Sequence, residues 1–138
     1  MIFEITGEPM GKQRPKFVRN GGFVRTYTPK ETVNYEQWVK MCYTSAGGQH
    51  LGSGPIGIEV SVFYKIPKSF SKKKRQMAID RELAPTVKPD CDNVLKIICD
   101  SLNGIAYDDD KQIVHAVVNK YYAEQPRVLV AIDKLLVE

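Results

Sequence analysis

IVHAVVNKYY (residues 113–122) and RVLVAIDKLL (residues 127–136), joined through Pro126, decide the fold class. Both runs are rich in β-branched and aromatic residues and read as strands with only a turn between them. A doubly wound parallel fold would place a helix between successive strands, so this grouping favours α+β. Working back toward the amino end, Val94, Leu95, Ile98 and Leu102 share one face of a helix running from about Asn93 to Asn103, and Gly104 is placed to cap it. A polar loop around Pro85 precedes it. Before that, Ser69 to Ile79 reads as a short basic helix, and Ile56 to Ile66 alternates Ile58, Val60 and Val62 against Glu59, Ser61 and Phe63, the period of a strand. Ile2 to Glu8 also alternates, and Phe17 to Tyr27 reads as a hairpin with Asn20-Gly21-Gly22 at its tip. Thr28 and Pro29 stand in the order N-cap then first helical position, and Val33, Trp38, Val39 and Cys42 supply an apolar stripe until Gly47-Gly48. These elements predict one α+β domain over residues 1–138, a small mixed sheet with hairpins packed against two main helices, with Trp38 in the core.

A chain of 138 residues suits one compact core. The formal net charge of +4 tilts its surface toward anionic partners such as nucleic acid. No run approaches the roughly eighteen apolar residues of a membrane span, and MIFEITGEP resembles no signal peptide, so a cytoplasmic protein without a membrane partner is expected. Cys42, Cys91 and Cys99 show neither CxxC nor Cys/His spacing, so reduced thiols are expected rather than a disulfide framework or a zinc site.

The chemistry concentrates between Lys88 and Gln112. In an extended stretch, residues two apart point the same way, so Asp90 and Asp92 would present two carboxylates together while Cys91 turns aside. Mg²⁺ chooses carboxylate oxygens and keeps several waters, so two or three aspartates and a substrate phosphate make an adequate site. Lys96, four residues after Asp92 on the same helical face, is placed to hold a scissile phosphate or to offset charge in the transition state. Plainer roles compete. Asp90 or Asp92 could cap the helix, Asp108 to Asp110 could form a solvated turn, and Lys96 could pair weakly with Asp92 or Asp100. The residues alone leave both readings open; two acidic clusters flanking one helix with a lysine, in an otherwise basic chain, favour a site.

Lys-Pro-Asp-x-Asp-Asn-x-x-Lys from Lys88, Asp-x-Leu-Asn-Gly from Asp100 and Asp-Asp-x-Gln-Ile-Val from Asp109 together resemble the core of RusA-type Holliday junction resolvases. Gly7-x-Pro9-x-Gly11-Lys12-x-Arg14-Pro15 is similar to the branch found in phages and prophages. The resemblance implies an endodeoxyribonuclease that cuts four-way DNA junctions as a homodimer during recombination and repair, with Mg²⁺ as cofactor and Mn²⁺ as a substitute. Carried over singly, Asp90, Asp92 and Asp110 match the three aspartates, which implies metal ligands, and Lys96 matches the lysine. Three consecutive aspartates leave Asp109 as an alternative register for the third, although Gln112 favours Asp110.

A helix from Asn93 to Asn103 is roughly 16 Å long, and the six residues after it return at most roughly 20 Å. Asp92 and Asp110 therefore start at opposite ends; folding back within one chain is tight, which favours a twofold dimer in which Asp110 of one subunit meets Asp90 and Asp92 of the other. DNA phosphates are expected to bind two basic strips, Lys12, Arg14, Lys16, Arg19 and Arg25 near the amino end and Lys68, Lys72, Lys73, Lys74 and Arg75 farther on. A solvated face competes for the second strip, and cross-strand packing competes for the Phe17, Phe23 and Tyr27 rings of the first. His50 and His115 have no partner at ligand spacing, and His115 is expected to be structural. Two other functions stay open on the residues alone: a DNA-junction-binding module without catalysis, and a metal-dependent phosphatase acting on a small phosphate ester.

Overall fold

A computed structural model describes residues 1–13, 16–21, 23–27 and 30–136, with the backbone alone over 16–20 and 23–27. Its strands are β1 (Ile2–Thr6), β2 (Lys16–Asn20), β3 (Phe23–Tyr27), β4 (Ile56–Lys65), β5 (Ile113–Ala123) and β6 (Arg127–Lys134). The helices are α1 (Lys30–Ser45), α2 (Lys72–Ile79) and α3 (Cys91–Leu102), with a 3₁₀ turn at Asp110–Gln112. Four strands form a mixed sheet in the order β1-β6-β4-β5, and β2 pairs with β3 as a separate antiparallel hairpin. The α+β expectation holds.

One detail of it changes. β5 and β6 follow each other in the chain yet do not pair, because β4 lies between them, antiparallel to β6 and parallel to β5. β4 buries Ile58, Val60, Val62 and Tyr64 on one face and Gly57 and Phe63 on the other. A strand apolar on both faces is stable only in the interior of a sheet. The parallel pairing of β4 with β5 requires a crossover, and α2, the loop after it, α3 and the acidic turn are that crossover.

The core lies between one sheet face and the helices. Phe3 and Ile5 of β1, Val128, Val130 and Ile132 of β6 and Ile56, Ile58, Val60, Val62 and Tyr64 of β4 meet Tyr35, Val39 and Tyr43 of α1 and Val94, Ile97, Ile98 and Leu102 of α3. Burying each such aliphatic side chain stabilises the fold by about 1.5–3 kcal/mol. The buried stripe of α1 is Thr32, Tyr35, Val39 and Tyr43, not the stripe expected. Val33 and Trp38 are about two-fifths exposed (42% and 39%), and the Trp38 indole donates to the Thr6 carbonyl at 2.9 Å. The two tyrosines carry the helical period more fully than Val33 and Trp38, which turn outward. Thr28 and Pro29, expected to start this helix, lie outside the described residues. α2 begins later than expected, with Ser71 as N-cap accepting from the Lys74 amide at 3.2 Å. The opposite sheet face is open: Glu4, Glu59, His115 and Asn119 are exposed, so His115 has no packing role there. Among the described residues no helix is long and apolar enough to cross a membrane.

Candidate active site

α3 starts two residues earlier than expected, and this rearranges the first acidic pair. Asp90 is the N-cap, with extended backbone (φ −73°, ψ 156°), and Asp92 already lies in the first helical turn. The chain bends into a helix between them, so the extended geometry that would aim both carboxylates one way does not exist. Asp90 lines a groove of about 490 Å³ with Gly11, Lys12, Lys88 and Asn93. Asp92 lines the neighbouring groove, about 330 Å³, with Leu95, Lys96, Cys99, Asp110, Ile113 and Ala116. The Asp90 carboxylate makes no capping bond to the helix, so capping does not explain its presence.

Loop contacts hold this corner in place. The Tyr64 hydroxyl donates to the Pro89 carbonyl, and Lys120 Nζ donates to the Val87 carbonyl at 2.7 Å while lying 4.8 Å from the Tyr64 ring centroid. Burial first, then the Cys91 and Asp90 charges, pushes the Tyr64 hydroxyl up to about 12, so it stays a donor. On the other side the Lys12 amide donates to the Asn93 carbonyl at 2.9 Å. Glycine suits position 11 because a Cβ there would stand 3.0 Å from the Cβ atoms of both Asn93 and Pro89.

The second acidic cluster divides its labour. Asp109 caps the 3₁₀ turn: its carboxylate accepts from the Lys111 amide at 3.2 Å, and Gln112 completes a reciprocal capping box. Gln112 Oε1 accepts from the amides of Asp108 (2.8 Å) and Asp109 (3.0 Å). Its Nε2 donates to the carbonyls of Gly52 (2.8 Å) and Gly54 (2.9 Å), buckling the turn to the loop before β4. His50 Nε2 faces Asp108 at 3.1 Å, and its Nδ1 accepts from the Gly52 amide at 3.1 Å. With Asp109 and Asp108 so engaged, Asp110 is the carboxylate turned toward Lys96, 3.6 Å away. Asp110 therefore folds back onto the helix that carries Asp92, within one chain. The tight fold-back within one chain is the arrangement adopted, in place of the expected meeting across a dimer: the turn over residues 104–106 reverses the chain, with the Gly104 amide donating to the Tyr107 carbonyl at 2.7 Å.

Lys96 belongs to a chain of alternating charges. Glu36 meets Lys12 at 3.3 Å, Lys12 meets Asp100 at 3.3 Å, and Asp100 meets Lys96 at 2.9 Å. Hydrogen bonding to Asp100, then its charge and that of Asp110, raises the Lys96 pKa, so the ammonium is held charged. Asp110 is also raised, chiefly because Asp109 hydrogen-bonds to its neutral form and secondarily by burial, while Lys96 pulls the other way. Asp109 is lowered as the other half of that contact. Burial pushes the Cys99 thiol to about 11, which leaves it inert beneath the groove.

The structure brings Asp92, Lys96 and Asp110 together and leaves Asp90 on the adjoining groove. Among the described residues no three His, Cys, Asp or Glu side chains form a ready-made metal cluster. Of the basic residues, Lys12 is engaged by two carboxylates, Lys68, Lys72, Lys73 and Lys74 are exposed, and Arg75 pairs with Glu124 at 3.3 Å. Arg14 and the side chains of Lys16, Arg19, Arg25, Phe17, Phe23 and Tyr27 lie outside the described residues. Sequence reasoning cast Asp100 only as a surface partner of Lys96. Its i, i+4 spacing signals that pair, but nothing local signals Lys12, 88 positions away, on its other oxygen.

The family described as Endodeoxyribonuclease RusA matches residues 6–133. A Bacillus subtilis (strain 168) protein, Uncharacterized protein YqaN, is 37% identical over 135 residues, covering 96% of this chain and 95% of that one.

Proposed function

Because the chain belongs to the RusA endodeoxyribonuclease family, we propose that it resolves four-way DNA junctions in recombination and repair by metal-assisted phosphodiester hydrolysis. Asp90, Asp92 and Asp110 are the metal-binding carboxylates in this reading, and Lys96 is the catalytic cation. The observation that carries it is the groove on which Asp92, Lys96 and Asp110 converge.

The donor chemistry fits a hard divalent ion. Asp92 and Asp110 offer carboxylate oxygen on one groove, and the Asp90 carboxylate beside it is unclaimed by its helix. Such a set, with waters and a substrate phosphate, suits Mg²⁺, with Mn²⁺ as an oxygen-tolerant substitute. A bound ion supplies Lewis acidity and a more acidic water. Lys96, kept protonated by Asp100, binds the scissile phosphate and offsets negative charge as the water attacks. Asp100 and Lys12 orient Lys96; Gln112 orients Asp110; Tyr64 and Lys120 orient Asp90. Lys72, Lys73 and Lys74 bind the phosphates of the arms. A cytoplasmic homodimer supplies one complete site per subunit, and two sites make the two cuts that a junction needs.

The test uses end-labelled four-way junctions and linear duplex with the wild type and Asp92→Asn, in Mg²⁺, in Mn²⁺ and in EDTA. Paired, symmetrical nicks in the junction alone, lost in EDTA and in the variant, are expected. Tight binding without cleavage in either metal would mark a binding module, and hydrolysis of a small phosphate ester without junction cleavage would mark a phosphatase.

A further inference from the structure

Arg81 is the one non-glycine residue with positive φ among the described residues, at 63°. It closes α2: its amide donates to the Ala78 carbonyl at 3.2 Å, and the Glu82 amide donates to the Met77 carbonyl at 2.9 Å. That left-handed position after a helix ordinarily takes glycine, and any side chain there is strained. An arginine at this place calls for a role that its side chain performs.

The side chain lies over an aromatic ring and is exposed. Its guanidinium lies 4.3 Å from the Tyr121 ring centroid. Tyr121 lies 5.5 Å from Phe63, whose ring carries Arg127 at 4.1 Å. Arg127, Phe63 and Tyr121 are register partners across β6, β4 and β5, so the row crosses the open sheet face and Arg81 ends it beyond the edge strand. The two cations of the row differ. Arg127 faces Glu4 at 3.4 Å and donates to the Gln125 carbonyl at 3.1 Å. Arg81 has no carboxylate or carbonyl partner among the described residues; nearby Glu124 is taken by Arg75 at 3.3 Å, and Asp80 by Gln76 at 3.0 Å. A guanidinium held over a ring with no carboxylate or carbonyl partner keeps N–H donors available to phosphate oxygens.

We infer that Arg81 is a preorganised contact to a backbone phosphate of a DNA arm, outside the cutting groove. This rests on the proposed function. Tyr121 lies eight residues along β5 from Ile113, which lines that groove. At roughly 3.3 Å per residue the separation is about 26 Å, which spans roughly seven or eight base pairs. The contact therefore falls on a duplex arm and not on the scissile phosphate.

The experiment measures binding of the full chain to a four-way junction in EDTA, from 50 to 200 mM salt, for wild type, Arg81→Gly, Arg81→Lys and Arg127→Gln. Arg81→Gly relieves the strained backbone and should fold as well as wild type by thermal melting. For each subunit bound, its junction affinity should fall about 3- to 10-fold and its plot of log affinity against log salt should be shallower by about 0.9, the loss of one phosphate contact per chain. Arg81→Lys should recover the slope but only part of the affinity, since an ammonium lacks the fork. Arg127→Gln should leave the slope unchanged. Wild-type affinity and slope in a folded Arg81→Gly protein would overturn this inference alone. Failure of the wild type to bind junctions would overturn the proposed function and this inference with it.

Discussion

Asp100→Asn is the sharpest probe of the charge chain behind the groove. The Asp100 carboxylate is only 17% exposed and holds two lysines, Lys96 at 2.9 Å and Lys12 at 3.3 Å. Asparagine keeps the shape and removes the charge, turning an amide N–H₂ toward one of the two ammoniums. Lys96 is 56% exposed, so solvent screens its pair, whereas Lys12 is better shielded at 26%. Each pair so placed contributes about 0.5–1 kcal/mol, and the loss should total about 1–2 kcal/mol. Glu36 and Asp110 remain to hold one lysine each, which keeps the loss from being larger. For a chain of this size that is a fall in Tm of roughly 3 to 8 °C. Activity should fall further than stability implies. An untethered Lys96 samples several rotamers, so kcat for junction cleavage should drop about tenfold, or about 1.4 kcal/mol, while junction affinity stays within twofold. The sign with pH is defined: Lys96 has a raised pKa in the folded protein, so its pair contributes fully at neutral pH and is lost as pH rises through that value. Salt gives the cleaner control, since the Tm gap between wild type and variant should shrink in 1 M salt, where the Debye length is about 3 Å. A variant with wild-type kcat and Tm would refute the reasoning and reduce the chain of charges to ordinary surface pairs.

Three further outcomes follow from the geometry. Mixing an Asp90→Asn/Asp92→Asn subunit with an Asp110→Asn subunit should restore no cleavage, because Asp92 and Asp110 line one groove of a single chain; recovered nicking would mean that the sites are shared. Asp109→Asn keeps a capping residue but removes the neighbour that raises Asp110, so the Asp110 carboxyl should titrate at lower pH than in wild type when followed by carbon-13 NMR without metal. Gln112→Ala removes two hydrogen bonds within the acidic turn and two from it to the loop before β4, and should cost about 1–3 kcal/mol in urea unfolding; cleavage should fall with it because the turn that aims Asp110 is loosened.

Much of the fold was legible because its signals are local. Alternation in Ile2 to Thr6 and Ile56 to Ile66 and the apolar face of α3 each declare an element within a few turns of chain. Trp38 was misread because a large aromatic on a helix suggests burial, while Tyr35 and Tyr43 one face over take the core and leave its indole to the Thr6 carbonyl. The pairing of β5 was misread because adjacency in sequence favours hairpins, and only the two-sided burial of β4 places it between β5 and β6.

The candidate site divides the same way. By itself the sequence determined which groups are present: carboxylates at 90, 92 and 110, a lysine one turn beyond Asp92, a run of charge suited to phosphate chemistry, and motifs that resemble one nuclease family. These depend on residue type and short spacing, which the chain carries with it. Tertiary structure alone decided that the helix starts at Cys91 and parts Asp90 from Asp92, that Asp109 caps while Asp110 faces Lys96, and that Lys12 reaches Asp100. The reason is physical: the direction of a carboxylate depends on the backbone dihedrals beneath it, and ion pairs between residues far apart in sequence exist only once the sheet and helices have packed.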